Sequence, residues 1–155
     1  LMKTGNSMGD LHFVRRIIID NIKFSCIDVS PIHGFGLFAE ADITRGTVLG
    51  FLDGQVMAWD AYDALAAELK ESMGNYKDYV FMEWNALDTR TLLVRPFRTK
   101  YSYINHSPEP NLELIYDPIR VAAKSDIKKG EELLLDYSKE PLKEEYLEGH
   151  GKTYL

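Results

Sequence analysis

The sequence predicts a mainly β domain of several small twisted sheets, with one helix inserted among the strands. Three observations lead there. Short apolar runs at 91–94, 112–116 and 119–123 are bounded by clusters of Gly, Pro, Asn or Asp, the pattern of short strands joined by tight turns. Only one stretch carries a sustained 3.6-residue period. The chain has 155 residues, one domain's worth, enough to bury roughly two thirds of its unfolded surface.

Composition narrows the class further. A hydrophobic content of 45% with 12% aromatics suits a folded globule, and no run approaches the roughly 18 apolar residues of a membrane span. No membrane association is expected. Net charge is −6, with a pI near 5.2, which disfavours direct nucleic-acid binding and favours a basic partner. Cys26 is the single cysteine, so neither an internal disulfide nor a cysteine zinc cluster can form within one chain. With no secretory pattern at the N-terminus, an intracellular location is expected, cytoplasmic or nuclear.

Taken in order, residues 1–21 are expected to form an N-terminal arm and first strand, residues 22–140 the main domain, and residues 141–155 a tail. Residues 1–12 are polar and aperiodic, and Arg15-Arg16 interrupt the apolar run from Phe13 to Ile19. Alternation of Ile22, Phe24 and Cys26 with Lys23 and Ser25 reads as a half-buried strand ending at Ser30-Pro31. Gly34 and Gly36 follow; such a pair is either a plain hairpin turn or a turn that brings a main-chain edge to a cofactor. Next comes an internal echo. Asp42-Ile43-Thr44-Arg45-Gly46 and Asp126-Ile127-Lys128-Lys129-Gly130 share the pattern Asp-Ile-x-(Arg/Lys)-Gly, which predicts two equivalent turns in a pseudo-symmetric set of strands. Tyr62, Leu65, Ala66, Leu69 and Met73 share one face of a helix expected within an insert at about 58–75, stopped by Gly74-Asn75, and this stripe is expected to be core. Tyr79–Met82 and Thr91–Val94 should form a hairpin around 85–90, and Leu112–Tyr116 should pair with Ile119–Ala123 around Asp117-Pro118. After Pro141 the charged tail is expected to begin as a helix.

Two stretches carry chemistry. Tyr103-Ile104-Asn105-His106-Ser107 runs from an apolar lead into three hydrogen-bonding side chains, and Gly130-Glu131-Glu132-Leu133-Leu134-Leu135-Asp136-Tyr137 opens on a turn and closes on Asp-Tyr. With His33-Gly34-Phe35-Gly36-Leu37-Phe38-Ala39 upstream, they resemble, in the family's order, the signature of SET-domain protein lysine methyltransferases. That resemblance implies a β-clip-like SET fold in which the two C-terminal motifs meet in a knot-like crossing. It implies S-adenosyl-L-methionine as cofactor, contacted by Gly34, Phe35, Gly36, Asn105 and His106, with Tyr103 walling either the cofactor site or the channel. It implies Tyr137 as the catalytic tyrosine that orients the lysine nitrogen toward the methyl group, with Tyr79 a second channel residue. The substrate would be a lysine in a basic protein or peptide, such as a histone. Pro108 stands where many members have a zinc-binding Cys, so the likeness is to the minimal, zinc-free type.

His12, His33, His106 and His150 lack metal-site spacing, so no metal is expected. Glu131 and Glu132 read as solvated charges in a turn. The alternatives to an enzyme are a non-catalytic β-clip-type ligand-binding module and a cofactor-binding regulator.

Overall fold

The computed structural model describes residues 8–79 and 82–142. In chain order its elements are α1 (Met8–Ile17), β1 (Ser25–Val29), β2 (Phe35–Ala39), β3 (Val48–Phe51), β4 (Gln55–Ala58), α2 (Trp59–Met73), β5 (Glu83–Ala86), β6 (Thr91–Arg95), β7 (Asn105–His106), β8 (Leu112–Ile115), β9 (Arg120–Ala123) and β10 (Leu134–Leu135). Strands in four small sheets, with one helix inserted among them in the sequence, are the mainly β fold expected. No helix among the described residues is long and apolar enough to cross a membrane. Contacts divide the described residues into two compact units: 8–52 with Thr99–Tyr137, and those of 53–98 with 138–142.

The first unit grows from the internal echo. Ile43 and Ile127 exchange both backbone hydrogen bonds at 2.8 Å and are buried, so the two turns pair with each other. Each turn is also braced by the other's aspartate: Arg45 N–H donates to Asp126 Oδ1 and Lys129 N–H to Asp42 Oδ1, both at 2.8 Å. Gly46 and Gly130 take φ of 87° and 91°, values that a side chain would strain. Around this pair, β1 and β2 form an antiparallel hairpin, β3-β9-β8 an antiparallel sheet, and β7 and β10 a short parallel pair. Leu11, Val14, Ile22, Ile27, Leu37, Leu49, Ile104 and Val121 fill the core.

Two expectations fail in this unit. Residues 8–17 are helical, where an arm and first strand were expected; Leu11 and Val14, three apart, bury one face of α1. The strand expected from Ile22 starts instead at Ser25, because Phe24 takes a φ of 58° and turns its ring outward. Past that residue the alternation changes phase, so Ser25 and Ile27 are buried while Cys26 is only partly so.

In the second unit β4 and β5 flank β6 in an antiparallel sheet. Trp59, Ala86, Leu92, Val94 and Leu142 make its core, with Tyr62 and Trp84 packed alongside. α2 stops at Gly74 as expected. Its apolar stripe does not become core: Leu65, Leu69 and Met73 are exposed, because the helix packs through its first turn, where Trp59 meets Trp84 at 5.5 Å between ring centroids. The hairpin arm expected at 79–82 lies at Glu83–Ala86, set by Asp88, whose Oδ1 accepts from Arg90 N–H and Thr91 N–H at 2.7 and 2.8 Å and closes the turn. The tail expected from 141 falls almost wholly outside the described residues.

Candidate active site

The parallel pairing of β7 with β10 sets Asn105 opposite Leu134 and His106 opposite Leu135. Two motifs far apart in sequence thereby run side by side, and Ser107 N–H extends the ladder to Leu135 O at 2.9 Å. Asn111 holds the second strand in place, donating from Nδ2 to Glu132 O at 2.8 Å and accepting Leu134 N–H at 2.9 Å.

Asn105 sits at the centre of one cluster. Its Nδ2 donates to Glu132 Oε2 at 2.8 Å, Ser30 Oγ at 3.1 Å, and the carbonyls of His33 and Phe35 at 3.3 Å each. Ser30 Oγ donates to the Glu132 carboxylate at 2.9 Å and accepts Ile32 N–H at 3.0 Å. The glycine turn is therefore tied to Asn105 through its main-chain carbonyls. A Cβ on Gly36 would run into Glu132 Oε2 and press on Ser30 Cβ, so within the protein that glycine makes room for a carboxylate.

Tyr137 is the centre of the other. Its N–H donates to His106 Nδ1 at 3.1 Å, and its hydroxyl donates to the Ile104 carbonyl. The His106 and Tyr137 rings stack with centroids 6.0 Å apart, and Tyr101 meets Tyr137 edge-on at 6.4 Å. Because Nδ1 accepts a hydrogen bond, the neutral ring carries its proton on Nε2, and the 3.9 Å approach of Asp136 Oδ1 is not an ion pair in that state.

Of the residues singled out from sequence, Gly34, Phe35, Gly36 and Asn105 come together around Ser30, while His106 and Tyr137 stack beside Ile104. Tyr103 and Phe35 are buried. The Tyr79 side chain lies outside the described residues, as does His150. Ser30 and Asn111 are not marked by the sequence, and Glu132, expected to be a solvated charge, instead accepts from Ser30 Oγ and Asn105 Nδ2. Ser30 bonds across 102 positions, so nothing local marks it, but Glu132 had one available signal: a charge set into a strand restart directly before the buried Leu133. Cys26 is no nucleophile candidate, since burial and the nearby Glu40 push its thiol pKa up. Among the described residues no group of His, Cys, Asp or Glu could hold a metal.

This arrangement defines a class. The SET-domain family model matches residues 34–138, about two thirds of the 155-residue chain. The chain belongs to the SET-domain family, whose members are in general protein lysine methyltransferases and typically use S-adenosylmethionine. No curated protein sequence matches the chain.

Proposed function

We propose that this protein is an S-adenosylmethionine-dependent protein lysine N-methyltransferase acting on a basic protein or peptide. The observation that carries the reading is the double anchoring of Tyr137, by its N–H to His106 and by its hydroxyl to Ile104 O, directly beside the Asn105-His106 pair. A tyrosine fixed at both ends has its hydroxyl oxygen placed before any substrate arrives, and positioning is most of what in-line transfer between two bound molecules requires.

The cofactor, when bound, supplies a methyl group on a sulfonium. The donor set suits it: the saturated Asn105 Nδ2 leaves Oδ1 as the amide's acceptor for an ammonium, and His106 Nε2–H offers a donor. Gly34, Phe35, Gly36, Tyr103, Asn105 and His106 are the residues proposed to hold it. Tyr137 would orient the lysine amine and exclude water. A free lysine has a pKa of about 10.4, so an apolar, aromatic channel favours the neutral form that reacts. The net charge of −6 favours a basic target. An intracellular location completes the proposal.

Tyr137→Phe tests it through three measurements on one variant. The thermal midpoint and cofactor dissociation constant should stay near the parental values, while single-turnover methylation of a mixed pool of basic proteins falls about a hundredfold or more. A variant that melts several degrees lower yet methylates at the parental rate would remove the catalytic assignment. Cofactor binding with no transfer by the parent to any basic protein would favour the regulator, and no cofactor binding at all the plain binding module.

A further inference from the structure

We infer that Glu132 is a positioning residue for the cofactor's amino-acid arm: it fixes the sense of the Asn105 amide, nitrogen inward and oxygen outward, so that the oxygen can accept from a ligand ammonium. The inference rests on the reading of the site as a cofactor site, and adds to it a residue that acts through the amide.

The argument is one of counting donors and acceptors. Asn105 has two amide hydrogens, and every protein atom that they face can accept: the Glu132 carboxylate, the His33 and Phe35 carbonyls, and the Ser30 hydroxyl oxygen. Ser30 cannot offer its own hydrogen to Asn105, because it donates to Glu132. An amide turned the other way would set its oxygen against the Glu132 carboxylate and the His33 and Phe35 carbonyls with no hydrogen between them, and in partly buried surroundings that inversion is strongly disfavoured. The shortest of the four contacts, 2.8 Å, is the one to Glu132, and a bond to a carboxylate is the strongest of the set. Glu132 thus secures the orientation twice, by accepting from Nδ2 and by drawing the Ser30 hydrogen away.

Gly36 supports the same reading independently. Its missing side chain leaves the space that Glu132 Oε2 occupies. One glycine of the turn is therefore committed to seating this carboxylate against Asn105.

Two substitutions at Glu132 grade the loss of the acceptor, and probes with and without the amino-acid arm separate orientation from packing. Glu132→Gln keeps the shape and one acceptor oxygen, which can still face Asn105 Nδ2 and Ser30 Oγ, but loses the charge that makes this bond the strongest of the set. Glu132→Ala removes the acceptor altogether and frees the Ser30 hydrogen to face the oxygen of an inverted amide. If Glu132 served packing alone, its loss would fall on both probes alike.

The experiment is calorimetry on the full chain with two probes, S-adenosylhomocysteine and 5′-deoxy-5′-methylthioadenosine, which shares the nucleoside and thioether but lacks the amino-acid arm. Thermal midpoints establish that each variant is folded. Expected is a loss of S-adenosylhomocysteine affinity of about tenfold or more in Glu132→Ala, a smaller loss in Glu132→Gln, and methylthioadenosine affinity within about twofold of the parent in both. Equal losses for the two probes, or an unchanged Glu132→Ala variant, would each overturn the inference. Should Glu132→Ala fail to fold, Glu132→Gln decides alone: a loss confined to the probe with the arm supports it, and a loss shared by both probes or no loss at all overturns it. A parent that binds neither probe takes down the cofactor-site reading and this inference with it, whereas a parent that binds both with losses that do not follow the arm takes down the inference alone.

Discussion

Two clusters of polar side chains form inside this protein, and they differ in what is left over once their internal bonds are made. In one unit, Arg95 donates to Glu83 at 2.5 Å, to Asn85 Oδ1 at 2.6 Å and to Asp53 O at 2.8 Å, and Glu83, Asn85 and Arg95 are at most 5% exposed. In the other, Asn105, His106 and Tyr137 are only half-buried, and Asn105 keeps an amide oxygen outside the bonds that seat it. The first cluster holds a sheet together, and what it leaves over, Asn85 Nδ2, is shut away from solvent. The second is held rigid from behind and offers atoms to a visitor, which is the arrangement a binding site needs.

The contrast breaks most visibly at Arg95. Arg95→Met should destabilise the fold by about 3–5 kcal/mol, because Glu83 is then a buried charge without its partner. Asn105→Ala should do the reverse: lower cofactor affinity by about tenfold or more while changing unfolding free energy by only about 1 kcal/mol. Denaturant titration and cofactor calorimetry on both variants check this, and a crossed result, with Arg95→Met stable or Asn105→Ala unfolded, would erase the distinction between the clusters.

These clusters were unequally legible in the sequence. Asn105, His106 and Tyr137 stand in motifs a few residues long, and Asp42 and Asp126 in turns whose chemistry is local, so both could be named without a structure. Arg95, Glu83 and Asn85 lie in an ordinary hairpin, where an inward and an outward charge look alike until the register is known. The same limit hid Ser30 and Glu132, and it displaced the hairpin arm that Asp88 fixes at Glu83–Ala86. Phe24 was misplaced for another reason: its positive φ falls on a bulky residue, with no Gly to announce the break.

Glu140 sharpens the comparison by adding pH. Burial pushes its carboxyl up to about 7, against the pull of the Asn85 amide, the Ala86 N–H and Arg95. The residue as a whole is half-buried, but Oε1 is shut off from solvent, so the carboxyl end is what desolvation acts on. A carboxyl whose folded pKa exceeds its unfolded value of 4.5 favours the fold while it holds its proton. That contribution is full below pH 4.5 and is lost as pH rises through about 7. Glu140→Gln should therefore be near neutral at pH 4.5 and stabilising by on the order of 2 kcal/mol at pH 8, read from denaturant midpoints at the two values. Equal differences at both would show that this carboxyl is not a burdened one.

The smallest effect belongs to the paired turns, where the sequence repeat promises equality. Asp42 and Asp126 each accept one backbone N–H of the opposite turn at the same 2.8 Å, and each supports the same Ile43–Ile127 bridge. Neither aspartate takes part in the Asn105 or Tyr137 clusters. Asp42→Ala and Asp126→Ala should then each lower stability by about 1 kcal/mol, agree within about 0.5 kcal/mol, and leave cofactor affinity unchanged. The second turn differs from the first in leading directly into Glu131 and Glu132, whose strand must keep Glu132 against Asn105. If Asp126→Ala weakens cofactor binding while Asp42→Ala does not, the repeat is symmetric in geometry alone, and the turn at 126–130 belongs to the site's support as well as to the fold.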